Sequence, residues 1–120
     1  MPMKSKALAA AFDKELESAK DDVRARRYDD GMRHLERAHV LGQTFFREHM
    51  RVHGWMLRVA LERVDVIGAL GQIARIVLGA IGTPLGRLPI GNTGSSDVPM
   101  FQRMAIPADL ARLIDGDRHE

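Results

Sequence analysis

Apolar residues recur every three or four positions along the first part of this chain, and that spacing decides most of what it can fold into. Leu8, Phe12, Leu16, Ala19 and Val23 fall on one stripe of a helix that turns about 100° per residue. A half-buried strand alternates its faces every second residue, and no stretch here keeps that alternation. Ser5 stands where a helix N-cap would, so the first helix is expected from about Ser5 to Arg27. Tyr28-Asp29-Asp30 reads as a break with an Asp able to cap a second helix, from about Gly31 to Leu41. Gly42-Gln43-Thr44 reads as a tight turn, with Gly42 just past the helix end and Thr44 as the next cap. A long third helix follows from about Phe45 to Ile81, with a kink or break expected near Gly68 and Gly71.

The pattern then changes. TPLGRLPIGNTGSSDVP is rich in Gly, Pro, Ser and Thr, carries no helical period, and is too long for a simple connector. Its apolar members Leu85, Leu88, Ile90 and Val98 suggest that it packs back on the helices. A short helix over 105–114 should close the chain, with Pro107 at its first position, and the polar residues 115–120 should fray. The expected fold is all-α. It is an antiparallel three-helix core over 5–82 with one long helix, a structured loop over 83–104 and a short C-terminal helix. With 120 residues, 1–120 is one domain.

Composition excludes several functions. The chain has no cysteine, so disulfides, thiolate metal sites and cysteine nucleophiles are ruled out. Eighteen Lys and Arg against sixteen Asp and Glu leave a net charge of +2, with no basic stripe for nucleic acid. The apolar run after Lys6 ends at Asp13, too soon for a signal-peptide core. Val64 to Gly82 is the most apolar segment, but Asp65, Gln72 and Arg75 interrupt it, so a buried helix is expected there instead of a membrane span. These features point to a cytoplasmic protein without a membrane partner. No nucleophile elbow is present, and the turn from Ile90 to Ser96 lacks the lysine of a phosphate-binding loop. The small residues Gly68, Gly71, Ala74, Gly79 and Gly82 would allow close helix packing, and a homodimer through the 64–82 helix is expected. Trp55 falls off the inner face of the third helix, where it could pack under the loop or at an oligomer contact.

Four of the five histidines lie between positions 34 and 53. Met56, Ala60, Ile67, Ala74 and Leu78 mark the apolar centre of the third helix, and His49 and His53, four apart, stack on that face. His39 lies on the inner stripe of the second helix, and His34 on its flank. The turn between these helices is short, so they pair antiparallel and bring His39, His49 and His53 together. A buried neutral imidazole needs partners for both nitrogens, and a metal ion satisfies three rings at once. An i, i+4 histidine pair is also the spacing that helical metal sites use. Glu15, at the edge of the first helix's stripe, is the preferred fourth ligand or an acceptor behind the ligands. Glu36, which forms Glu-x-x-His with His39, and His34 are additional candidates. Imidazole with carboxylate suits zinc first, then copper, nickel or iron. The turn at 90–96 reads as a tight turn with Asn92 left-handed, and a further option has Asn92 or Thr93 closing over the site. The same histidines could instead be core hydrogen-bonders in a non-metal protein-interaction module.

Several blocks together resemble a known family. They are LERAHVLGQ at 35–43, His49 and His53 followed by Trp55-Met56-Leu57, Gly71-Gln72, PIGNTG at 89–94, and Met104-x-Ile106-Pro107-x-Asp109-Leu110. The resemblance runs from Phe12 to Leu110 and is to a family of small bacterial proteins of unknown function. It implies that Glu15, His39, His49, His53 and the GNTG turn belong to a shared motif, while His34 is particular to this chain. Val66 to Ala69 departs from the polar residues expected before Gly71-Gln72. The start of the second helix also resembles one tetratricopeptide unit, far short of an array. The functional expectation is a metal-binding helical protein, in metal tolerance or trafficking or as a small metalloenzyme with a metal-bound water and Glu36 or Glu15 as base.

Overall fold

The Ser5 hydroxyl accepts the Leu8 backbone N–H at 3.2 Å and starts α1 (Lys6–Arg24). The computed structural model describes residues 2–85, 94–95 and 103–119, apart from the side chains of 82–85. Leu8, Phe12, Leu16, Ala19 and Val23 are all at most 1% exposed, so the whole periodic stripe of α1 is core. The helix ends in a Schellman motif: Arg27 N–H donates to Asp22 C=O at 2.8 Å and Arg26 N–H to Val23 C=O at 3.0 Å. Arg26 takes the left-handed position of that motif, with φ 62°.

The second helix, α2 (Tyr28–Gly42), starts three residues earlier than the sequence suggests. Asp29 and Asp30 sit in its first turn, where the helix dipole favours carboxylates. Gly42 is the last residue of α2, and its role is close approach. A Cβ there would lie 2.8 Å from the Phe12 ring and 2.9 Å from Glu48 Cβ. Phe45, not Thr44, is the N-cap of α3 (Phe46–Glu62), with no side-chain cap bond, and Thr44 is exposed.

The long third helix is two helices. A second Schellman motif ends α3: Asp65 N–H donates to Ala60 C=O at 2.8 Å and Val64 N–H to Leu61 C=O at 3.1 Å. Val64 is the left-handed residue, at φ 56°. Asp65 then caps α4 (Val66–Leu85), its Oδ1 accepting Gly68 N–H at 2.9 Å. The break lies three residues before Gly68 and shifts the register of everything after it. Ile67 and Leu78, expected at the apolar centre, are 84% and 43% exposed. Gly79 faces inward: a Cβ there would meet Met50 Cε at 2.6 Å and His49 Cε1 at 3.3 Å.

The last helix, α5 (Ala108–Arg118), has Pro107 at the N-cap, one position before the expected N1. The polar end of the chain is fastened. Asp117 is buried, and its Oδ1 accepts the backbone N–H groups of Lys4 at 2.7 Å and Ser5 at 2.6 Å. The described residues thus form five α-helices and an all-α fold. α1 packs on α2, α3 on α4, α2 joins the two pairs through α3, and α5 lies on α1 and α2. Among the described helices α4 touches α3 alone, and none is long and apolar enough to cross a membrane.

Candidate metal centre

Three rings converge where α2 meets α3. His39 comes from the last turn of α2, and His49 and His53 from successive turns of α3. They are 3%, 3% and 2% exposed. His53 Nε2 lies 3.0 Å from His49 Nε2 and 3.1 Å from His39 Nε2, so the three nitrogens face one region of space. Ring centroids are 4.7 to 4.9 Å apart. Nitrogens bound tetrahedrally to one zinc at about 2.05 Å would stand roughly 3.3 Å apart, close to the spacing here. Among the described residues this is the group of histidine and carboxylate side chains close enough to hold a metal ion.

The inner face of α4 supports the rings. Gln72 is buried, and its Nε2 donates to Gly94 C=O at 3.0 Å. That bond turns the amide oxygen toward His53, whose Nδ1–H donates to Gln72 Oε1 at 2.7 Å. With the proton fixed on Nδ1, His53 presents the lone pair of Nε2 to the other two rings. Arg75 is also buried, donating to Gly71 C=O at 3.1 Å and Ser95 C=O at 3.3 Å. Together Gln72 and Arg75 hold the Gly94–Ser95 strap over the cluster. Gly94, at φ 80°, lies flat on His39, and a Cβ there would be 2.4 Å from the His39 ring.

Burial sets the protonation. It pulls His49 down to about 4, with the neighbouring His53 adding to the effect. It also pulls His53 down to about 4; the Gln72 bond opposes this and the Arg75 charge adds to it. Both rings are neutral at pH 7, the form that binds metals. A pocket of about 110 Å³ lies among Met32, Met56, Arg63, Asp65, Gln72 and Ser95, with Gln72 as its link to the cluster, and none of the three histidines lines it.

The other expected residues lie elsewhere. Glu15 does not reach the cluster. Its carboxylate accepts from Arg37 Nε at 2.8 Å and lies 2.7 Å from His34 Nδ1, while Arg37 also pairs with Asp109. Glu15 and His34 thus stand apart from the three rings, paired with each other and with Arg37 where α1 meets α2. Glu36 is partly buried on α2 and outside the cluster. Asn92 and Thr93 lie outside the described residues. Trp55 sits half-buried against the cations of Arg58, Lys20 and Arg24 at 4.7, 5.7 and 5.8 Å.

Gln72 and Arg75 are the residues whose site roles the sequence reading missed, whereas Gly94 belongs to the GNTG turn that the resemblance already groups with the histidines. The signal for Gln72 and Arg75 was present as two polar residues three apart in an otherwise apolar segment, which marks a polar stripe on one helix face as readily as it interrupts a span.

Fold and site together define a small all-α protein built around a buried cluster of three imidazoles. The chain belongs to the family described as Protein of unknown function (DUF3703), whose model matches residues 6–114. No curated protein and no solved structure is significantly similar to it.

Proposed function

We propose that the protein binds a divalent transition metal through Nε2 of His39, His49 and His53. The single observation that carries this reading is the convergence of three buried Nε2 atoms, with Gln72 fixing the tautomer of His53. A metal-ligating histidine ordinarily donates its other ring N–H to an oxygen acceptor, as His53 does to Gln72. Three imidazoles without thiolate favour zinc, with copper, nickel and iron as competitors. A protein of this size with such a site suits metal tolerance or trafficking. A small metalloenzyme is a variant of this reading, in which the ion would supply an activated water. The cytoplasmic location and the lack of a nucleic-acid partner belong to the same proposal.

The test is elemental analysis of untagged protein purified without a metal column. We expect close to one ion per chain, lost in His49→Ala and His53→Ala while helical content survives. Metal-free protein that shows no thermal shift with zinc, copper, nickel, cobalt or iron would overturn the reading. A second reading has its own support. The rings and Gln72 already form a hydrogen-bonded chain without an ion, as a non-metal interaction module would need. That reading predicts no metal effect and a large stability loss in every histidine variant.

A further inference from the structure

The outer face of α4 is apolar and bare. Val66, Ile67, Leu70, Ile73, Val77 and Ile81 are between 45% and 84% exposed. At about 100° per residue they cluster opposite Gln72, Arg75 and Gly79, which face α3 and the histidines. Positions 66, 70, 73 and 77 alternate steps of four and three, the seam spacing of paired helices. Between 66 and 81 the one charged residue is Arg75, and it is buried on the inner side. The exposed part of this stripe amounts to on the order of 700 Å², close to the ~800 Å² that one partner gives to a stable interface. The described rest of the chain lies elsewhere: the Gly94–Ser95 strap is anchored on the inner face, and α5 packs on α1 and α2.

We propose that this face is covered by α4 of a second copy of the chain, forming a twofold dimer. A stripe without charge meets its own copy without repulsion, as a self-complementary interface requires. A helix that lies on a lipid surface carries Lys and Arg along its polar side, and α4 offers only the buried Arg75. The dimer would also clamp the helix whose inner face supports the histidine cluster.

The experiment is light scattering on the full chain after dialysis against a chelator, so the metal reading and this one fail separately. We expect twice the 13.4 kDa chain mass, returning to the single-chain mass in the double variant Leu70→Asp/Val77→Asp. Ile73 lies at the middle of the stripe, so Ile73→Cys should give a disulfide-linked dimer on mild oxidation in a chain with no native cysteine, whereas Ala10→Cys on exposed α1 should not. This second readout decides the matter if the double variant fails to fold. A wild-type monomer at high micromolar concentration overturns the proposal. So does a dimer that keeps its mass with both aspartates, or a monomer that sediments with phosphatidylglycerol vesicles.

Discussion

Gln72 shows how one side chain sets the chemistry of another. Its amide is oriented by Gly94, and that orientation assigns the proton of His53. If the cluster holds metal, Gln72→Leu should weaken binding by about 10–100-fold, the usual effect of losing such a support, with helical content unchanged. Competition against a chelator reads this directly, and unaltered affinity would show that the tautomer needs no help. Gly94→Ala tests the strap. The new methyl would collide with the His39 ring at a φ of 80°, so a loss of about 1–3 kcal/mol in urea unfolding is expected. At this scale the sequence is informative about facing and silent about competition. His39, His49 and His53 were legible because helical spacing fixes which way they point. The Arg37 and His34 partners of Glu15 were not legible, because a position at the edge of a stripe does not say which neighbour will claim the carboxylate.

At the scale of elements, the helices of the first half were legible to within a few residues, and each break was expected about three residues later than the Schellman motif that makes it. The usual sign of such an ending is a glycine at the left-handed position, and here Arg26 and Val64 occupy it. A β-branched side chain is strained at φ 56°. Val64→Gly should therefore raise stability by about 1 kcal/mol, as a higher urea midpoint with an unchanged m-value. A lower midpoint would mean that Val64 adopts another conformation. Placing the second break near Gly68 instead of at Val64 had a long reach. It carried the helical phase of α3 into α4, which placed Ile67 and Leu78 inside and left Gln72 and Arg75 without a role.

For the whole molecule, the all-α class and the extent of the family match were both legible, because periodicity and motif blocks need no tertiary contacts. The closure of the two ends was not, since nothing local joins Asp117 to Lys4 and Ser5. Asp117→Ala removes an acceptor shared by two backbone donors and should cost about 1–3 kcal/mol in urea unfolding. The histidine cluster makes the molecule sensitive to acid in a defined window. In the unfolded chain His49 and His53 titrate near 6.5, and in the folded chain near 4. Between these values the unfolded state binds more protons, so stability rises with pH across the window and is lost as pH falls from about 6.5 toward 4. Below about 4 both states are protonated and this contribution stops changing. Each ring accounts for on the order of 3 kcal/mol, part of it shared through their contact. Urea midpoints of metal-free protein should therefore fall steeply from pH 6.5 to 4, and less steeply in His49→Phe. If the rings hold metal, the added thermal stabilisation should survive at pH 6, where a free histidine is largely protonated, and vanish near the folded value. Loss of the metal effect already at pH 6 would place the ligands in a wetter setting than this core provides.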